Sequence, residues 1–289
     1  MSAGLLESIR SWARMVKFSH TVFALPFALS GAALAALESG ITWPRILWIV
    51  VAMIAARNAA MSFNRLADQR FDAENPRTAK RELPAGRLSR TAVWILTIVL
   101  GALFVYASFQ LGPLCGLLSP VALIVIFGYS FTKRFTWASH LVLGLSLAMA
   151  PVGGWLAVSG RFSAVAWLLG AAVLMWVAGF DVVYSCQDIE FDRRTGLFSI
   201  PARFGVRRAL NLARLLHVGA LSALAGVGWI ADLHPVYWVG WLVIGLILIW
   251  EHRLVRPDNL SKLGVAFFNM NGLISVIYLA TILAAVLLP

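Results

Sequence analysis

Apolar residues fall into nine long runs, separated by short polar or basic segments. Each run is close to the roughly 20 residues that an α-helix needs to cross a bilayer. The runs lie near residues 19–37, 42–64, 91–110, 113–131, 138–158, 163–187, 208–230, 235–252 and 264–288. The pattern predicts an all-α integral membrane protein, with about nine transmembrane helices in a bundle around a central cavity. We expect residues 1–289 to form a single polytopic domain.

Composition agrees with a membrane protein and excludes an ordinary soluble domain. Of the 289 residues, 60% are hydrophobic and only 13% are charged, whereas a soluble domain averages about a quarter charged residues. Cys115 and Cys186 lie within predicted spans, so they indicate neither a disulfide framework nor a metal site. The five histidines show no ligand spacing and are read as boundary or packing residues.

The net charge of +11 is explained by the loops that carry it. Arg and Lys concentrate at the N-terminus and in the connections after the second, fourth, sixth and eighth runs, while the alternate connections hold only Arg45 and Arg161. The positive-inside rule then predicts a cytoplasmic N-terminus and a C-terminus on the other side of a bacterial-type inner membrane. The partners expected are membrane lipids, and no nucleic acid is needed to explain the charge.

Two acidic motifs begin the two long cytoplasmic connections. They read 64-NRLADQRFD-72 and 184-YSCQDIEFD-192. Residues four apart share one face of a helix. At this spacing the motifs carry Asn64, Asp68 and Asp72 in the first and Tyr184, Asp188 and Asp192 in the second. A duplicated unit of a helix followed by a loop would place a site between the two copies.

Ionisable side chains at membrane depth are costly, so they indicate function by default. Carboxylates that converge at one depth repel one another unless cations lie between them. Mg²⁺ suits such oxygens and commonly shares them with substrate phosphates. Basic residues nearby can clamp the outer phosphate oxygens. The pattern predicts a diphosphate site at the cytoplasmic surface of the membrane. A secondary transporter, with acids that bind a coupling ion, is the alternative of another class.

Arg57 lies inside the second run, two helical turns before Asn64 and therefore deeper in the bilayer. A buried cation there would bind the carboxylate of an acceptor or reach the diphosphate. The structural alternatives are an ion pair with Asp181 and hydrogen bonds to helix carbonyls.

The two motifs, together with 129-YSFTKRFT-136 and 77-RTAKRELPAG-86, resemble those of the UbiA superfamily of intramembrane aromatic prenyltransferases. The resemblance covers nearly the whole chain. It implies Mg²⁺-dependent transfer of a polyprenyl group from polyprenyl diphosphate to an aromatic acid acceptor. The roles it implies are metal binding by Asn64, Asp68, Asp72, Asp188 and Asp192; catalysis by Asp68 and Asp188; diphosphate binding by Arg77, Arg81, Lys133 and Arg134; and acceptor binding by Arg57 and Tyr184.

The acceptor implied first is 4-hydroxybenzoate, in respiratory quinone biosynthesis. The segment 184-YSCQDIEFDRRTGLFSIPARFG-205, with 14-RMVKFSHTVFALPFA-28, is also similar to enzymes that prenylate aminodeoxyfutalosine on another route to menaquinone. Both acceptors carry a benzoate carboxylate. Both alternatives stay open at this point, as do the prenyl chain length and the carboxylate that removes the ring proton.

Overall fold

The computed structural model describes residues 21–265 and 270–288. The basic N-terminal residues Arg10, Arg14 and Lys17, and with them the predicted cytoplasmic N-terminus, lie outside these ranges. The described chain is helical apart from turns and one isolated β-bridge between Arg256 and Asn259. Its helices are α1 Thr21–Ser39, α2 Trp43–Ala67, α3 Gln69–Glu74, α4 Arg90–Leu111, α5 Pro113–Thr132, α6 Ser139–Ser159, α7 Ala164–Ser185, α8 Ile189–Thr195, α9 Ile200–Phe204, α10 Val206–Ile230, α11 Val236–Leu254, α12 Leu263–Val265 and α13 Asn271–Leu287.

Six of the helices are long and apolar enough to cross a membrane: α2, α4, α5, α6, α10, and α7 continued to Thr195. Helices α1, α11 and α13 coincide with the other three predicted runs within the described residues. The all-α membrane fold is therefore confirmed, with six candidate spans. Large apolar side chains such as Ile98, Leu117, Ile124 and Trp250 are exposed on the outer faces, where a bilayer would cover them.

Local sequence explains where several helices begin and end. Ser89 and Ser163 precede α4 and α7, and each side chain accepts a hydrogen bond from a backbone N–H of the first turn. Such capping satisfies a donor that the helix itself leaves free. Helix α5 starts on Pro113, which tolerates the first turn because the missing N–H has no helical partner there.

Glycines let three helices approach one another closely. A Cβ on Gly31 of α1 would lie 2.1 Å from the carbonyl oxygen of Pro151 in α6, and one on Gly154 of α6 would lie 2.0 Å from that of Ala28 in α1. A Cβ on Gly144 of α6 would lie 2.4 Å from the carbonyl oxygen of Leu174 in α7. Small residues at such contacts are typical of helix packing in membranes. Helices α1, α6 and α7 thus form a tight frame.

The two ends of the bundle differ in charge. At one end, Arg45 donates to the carbonyl oxygen of Val158 and Arg161 pairs with Glu38, so the sparsely charged connections meet there. At the other end lie residues 68–89, 133–138 and 186–205, which contain the short helices α3, α8 and α9. Basic and acidic residues of these three segments contact one another.

Candidate active site

The first acidic motif runs from the last turn of α2 into α3. Helical hydrogen bonds continue through the junction, from Asp68 N–H to Asn64 O at 2.9 Å and from Asp72 N–H to Asp68 O at 2.8 Å. The Asn64 side chain donates to Asp68 Oδ2 at 3.0 Å and lies 3.3 Å from Ser130 Oγ on α5. Burial, followed by the nearby charge of Asp72, raises the pKa of Asp68 above its ordinary value, against the opposing effect of Arg134.

Asp72 is buried and held by two cations. Arg81 Nη1 donates to both of its carboxylate oxygens, at 2.6 and 2.8 Å, and Arg65 Nη1 lies 3.8 Å away. Thr78 Oγ1 also donates to the backbone oxygen of Asp72 at 3.0 Å. The segment after α3 therefore folds back onto the motif that precedes it. The buried carboxylate of Asp72 is thus paired with the cations of Arg81 and Arg65.

The second motif begins in the last turn of α7 and passes through a 3₁₀ turn at Cys186–Asp188 into α8. Arg77 donates two hydrogen bonds to Asp188, from Nε to Oδ1 at 3.1 Å and from Nη2 to Oδ2 at 2.7 Å. Asn75 Nδ2 lies 3.3 Å from the same Oδ1. Arg77 Nη1 also donates to Tyr184 Oη, and the guanidinium lies 5.6 Å from the centre of that ring.

Residues 75–81 therefore join the two acidic motifs. Arg81 holds the first motif, while Arg77 and Asn75 hold the second, more than a hundred residues farther along the chain. The motifs lie at the same end of the bundle. Sequence reasoning gave both arginines a place near the acids, but it missed Asn75, which carries no charge and belongs to neither motif.

Asp192 completes the second motif and is 2% exposed. Ser199, the N-cap of α9, donates its hydroxyl to Asp192 Oδ2 at 2.7 Å. The side chain of Asp192 thus lies against the start of α9 and not in open solvent. Sequence reasoning missed Ser199, although its position before an Ile-Pro pair is a recognisable helix start.

Lys133 lies between the two motifs, at the end of α5. Burial acts to lower the pKa of Lys133, but the surrounding carboxylates of Asp192, Asp181, Asp188 and Asp68 outweigh it and the pKa is raised. A lysine in this setting keeps its positive charge. The backbone oxygen of Lys133 accepts a hydrogen bond from Phe198 N–H at 2.7 Å, which ties α5 to the segment after the second motif.

Arg134, the next residue, lies against the first motif. Its Nη2 donates to the carbonyl oxygen of Ala67 and lies 3.6 Å from Asp68 Oδ1. Its guanidinium also lies near the rings of Phe71 and Phe131, 5.5 and 4.8 Å from their centres. The planar cation is thus held by contacts with the end of α2, with Asp68 and with two aromatic rings.

Arg57 lies deeper, within α2, and its Nε is buried without a hydrogen-bond acceptor among the described residues. Asp181, which the sequence offered as a structural partner, instead lies 2.6 Å from His140 Nδ1. The structural ion pair between Arg57 and Asp181 is therefore absent from the described residues. A buried guanidinium N–H without a partner is a place where an anionic group of a substrate would be stabilised.

Among the described residues, no group of three or more Asp, Glu, His or Cys side chains is close enough to hold a metal ion by itself. The donors of the two motifs are carboxylate and amide oxygens. Such donors fit Mg²⁺, which usually takes only one or two carboxylates and completes its shell with phosphate oxygens and water. The residues present therefore fit Mg²⁺ bound together with a diphosphate and do not form a separate protein cage.

Known proteins are similar to this chain in sequence. Residues 24–273 match the sequence model of the UbiA prenyltransferase family. A 4-hydroxybenzoate octaprenyltransferase of Tolumonas auensis is 30% identical over 239 residues, which cover 83% of each chain. One of Photobacterium profundum is 29% identical over 231 residues, which cover 80% of each chain.

Solved structures of UbiA homologs share the fold, and two of them show the likeness. A UbiA homolog from Aeropyrum pernix K1, in its apo form, has a TM-score of 0.84 and 33% identity, over 92% of this chain and 97% of that chain. A UbiA homolog from Archaeoglobus fulgidus, bound to DMAPP and Mg²⁺, has a TM-score of 0.78 over 96% of this chain and 99% of that chain. At 19% identity, the second likeness concerns the fold alone.

Proposed function

The chain belongs to the UbiA prenyltransferase family and is a prenyltransferase, and we propose that it transfers a polyprenyl group from polyprenyl diphosphate to 4-hydroxybenzoate in respiratory quinone biosynthesis. The observation that carries this proposal is that residues 75–81 bind both acidic motifs. Arg81 donates to Asp72 and Arg77 donates to Asp188. These contacts bring carboxylates and cations of both motifs together at one end of the bundle. The relatives named 4-hydroxybenzoate octaprenyltransferase support the acceptor.

The metal assignment follows from the donor atoms. Asn64, Asp68 and Asp72 would hold one Mg²⁺, and Asp188 and Asp192 a second. Magnesium, when bound, neutralises negative charge on the diphosphate and on the departing pyrophosphate. The structure of the Archaeoglobus fulgidus homolog with DMAPP and Mg²⁺ supports the use of a divalent metal by this fold.

Four cations of this chain would bind the diphosphate oxygens that the metals leave free: Arg77, Arg81, Lys133 and Arg134. Each now contacts or faces a carboxylate of the motifs. Fixed positive charges at the leaving group stabilise the charge that develops as the C–O bond of an allylic diphosphate breaks. Aromatic faces at the site, such as those of Phe71, Phe131 and Tyr184, would stabilise the carbocation.

The acceptor would bind deeper than the diphosphate. Arg57, whose buried Nε has no hydrogen-bond partner within residues 21–265 and 270–288, would bind the acceptor carboxylate, and Tyr184 would contact the ring. A charge-assisted hydrogen bond in a site of low solvent access is strong and directional. Aminodeoxyfutalosine also carries a benzoate carboxylate, so Arg57 suits it as a second candidate acceptor.

We place the site at the cytoplasmic face of a bacterial-type inner membrane. The basic connections gather at the end of the bundle that holds both motifs, as the positive-inside rule requires. With α1, α11 and α13 counted beside the six candidate spans, nine helices would cross the bilayer as one domain. Their lipid-facing surfaces would admit the polyprenyl tail from the membrane.

An acceptor screen tests this function. Purified protein in lipid vesicles receives a polyprenyl diphosphate, Mg²⁺ and either 4-hydroxybenzoate or aminodeoxyfutalosine, and mass spectrometry detects the product. We expect prenylated 4-hydroxybenzoate, with pyrophosphate released in equal amount. A product from aminodeoxyfutalosine alone would select the second acceptor. Pyrophosphate release without a prenylated product from either acceptor would refute aromatic prenyl transfer.

A further inference from the structure

Asp181 lies on α7 above the second motif, one turn before Tyr184 and two turns before Asp188. It is therefore deeper in the bundle than the residues assigned to the diphosphate. The carboxylates of both motifs are held by other side chains: Asp68 by Asn64 and Arg134, Asp72 by Arg81, Asp188 by Arg77 and Asn75, and Asp192 by Ser199. Asp181 is bonded differently.

The only hydrogen bond that Asp181 makes within the described residues is to His140. Asp181 Oδ2 lies 2.6 Å from His140 Nδ1. The His140 side chain is fully buried, whereas 14% of the Asp181 side chain remains accessible. The second oxygen, Oδ1, has no protein partner there. The carboxylate helps to raise the pKa of Lys133 between the motifs. Asp181 therefore lies near Lys133 and keeps one oxygen without a hydrogen-bond partner among the described residues.

Hydrogen bonding fixes the tautomer of His140. The backbone N–H of Ile200 points to His140 Nε2 at 3.3 Å, so Nε2 is an acceptor and carries no proton. The ring proton is then on Nδ1, which donates to Asp181. A neutral imidazole bound on both sides cannot rotate without losing a hydrogen bond. His140 thus holds the carboxylate of Asp181 in one orientation.

We propose that Asp181 is the base that removes the ring proton of the aromatic acceptor, and that His140 positions it. The assignment rests on the proposed function. Asp188 is poorly suited to this task, because Arg77 and Asn75 already occupy its oxygens and it is assigned to a metal. Asp181 combines a free oxygen with a position on α7 two turns before Asp188, much as Arg57 on α2 lies two turns before Asn64.

The step balances as an electrophilic substitution. The C–O bond of the allylic diphosphate breaks and its electron pair leaves with pyrophosphate. A π pair of the ring forms the new C–C bond to the allylic carbon. The C–H bond at the same ring carbon then breaks, its electrons restore aromaticity, and the proton passes to Asp181 Oδ1. His140 keeps its proton throughout and acts as a positioning residue.

The test compares Asp181→Asn, Asp181→Glu and Asp68→Asn in full-length protein. Asparagine is nearly isosteric but cannot accept the proton, so Asp181→Asn should lower turnover by about 100-fold or more. The affinity of Asp181→Asn for Mg²⁺ and for a thiolodiphosphate analogue of the donor should stay within about threefold of the wild-type affinity. Asp181→Glu, which restores a carboxylate, should recover part of the turnover. Asp68→Asn should instead lose binding of the analogue.

An isotope effect gives a readout that a structural role would not move. With 4-hydroxybenzoate deuterated beside the hydroxyl, the wild type should turn over at the same rate as with hydrogen, because C–O cleavage limits it. In Asp181→Asn, loss of the ring proton becomes limiting, and deuterium should slow turnover at least about twofold. Glu251→Gln serves as the buried-carboxylate control, since Glu251 shares no hydrogen bond with either motif.

His140 offers a matched pair of variants. Asparagine places its amide nitrogen where Nδ1 lies and keeps the bond to Asp181, whereas glutamine reaches the position of Nε2 and keeps only the bond from Ile200. His140→Asn should therefore retain at least about tenfold more turnover than His140→Gln. Equal losses of turnover in the two variants, or a larger loss in His140→Asn, would overturn the positioning role of His140.

The outcomes separate the two proposals. An active wild type with Asp181→Asn within about threefold of it would overturn the base while leaving prenyl transfer intact. Reduced turnover of Asp181→Asn without an isotope effect, accompanied by loss of analogue binding, would also overturn it. If the wild type prenylates no acceptor, the proposed function fails and the base fails with it.

Discussion

The close approach of α1 and α6 yields a prediction whose size follows from the structure. Gly153 and Gly154 are neighbours on α6, yet a Cβ on Gly154 would lie 2.0 Å from the carbonyl oxygen of Ala28, whereas one on Gly153 would meet nothing within 4 Å. Neither glycine has a positive φ, so alanine is allowed by the backbone at both positions. The two alanine variants therefore differ only in the contact.

The magnitude comes from subtracting one variant from the other. Alanine gains about 1 kcal/mol over glycine within a helix at either position, so this contribution cancels. What remains is the cost of moving the two helices apart by at least about 1.4 Å, from 2.0 Å to the 3.4 Å at which ordinary contact begins. Overpacking costs about 1–3 kcal/mol, and the opposing atom here belongs to the backbone and cannot rotate away. We expect a difference of about 2–3 kcal/mol.

A thiol-reactive dye can follow unfolding, because Cys186 is buried and Cys115 half-buried in the folded chain. Gly154→Ala should melt roughly 4–12 °C below Gly153→Ala, and Gly153→Ala should melt at or above the wild-type temperature. Equal melting temperatures for the two variants would refute the close helix contact. A lower temperature for Gly153→Ala would refute the open space beside it.

Three further predictions concern the site. Asp68→Ala or Asp188→Ala should abolish product formation in the prenyl transfer assay while expression persists. The control Glu190→Ala removes an exposed carboxylate from the same turn as Asp188 and should keep full activity. Wild-type turnover in either aspartate variant would contradict the metal assignment. Lys133→Ala should raise the KM for the donor, with the exposed Lys80→Ala as control, and an unchanged KM would remove Lys133 from the site. Arg57→Met should raise the KM for 4-hydroxybenzoate at least about tenfold but leave that for a phenol without a carboxylate unchanged, and equal effects on both would rule out the carboxylate contact.

Much of the fold could be predicted from the sequence, because a helix in a bilayer must be apolar along its whole length. The run predicted at 163–187 became α7 at Ala164–Ser185, and that at 208–230 became α10 at Val206–Ile230. The polar connections were harder to predict. Helices α3, α8 and α9 are short, and their positions depend on contacts with distant segments more than on a repeating pattern.

The acidic residues of the site were visible from their spacing, whereas their partners were not. Asn64, Asp68 and Asp72 repeat at four-residue intervals, a pattern that one segment contains by itself. Arg77 and Asp188 are 111 residues apart, and no local signal links them.

His140 and Asp181 show the same limit more sharply. A lone histidine without ligand spacing was read as a boundary or packing residue, yet it holds an acid 41 residues away. The pairing of Arg57 with Asp181, offered as an alternative, failed because two positions that suit a salt bridge by depth need not face each other. Side-chain direction across helices is set by packing, which a single sequence does not reveal.

The central claim is that the two acidic motifs bind one diphosphate through magnesium. Isothermal titration of the purified protein with a thiolodiphosphate analogue of the donor tests it most directly, because no turnover is needed. The account predicts binding that requires Mg²⁺, disappears with EDTA, and is lost when Asp68 and Asp188 are both changed to alanine, but not in Glu190→Ala. Equal affinity without metal, or in the double variant, would contradict it.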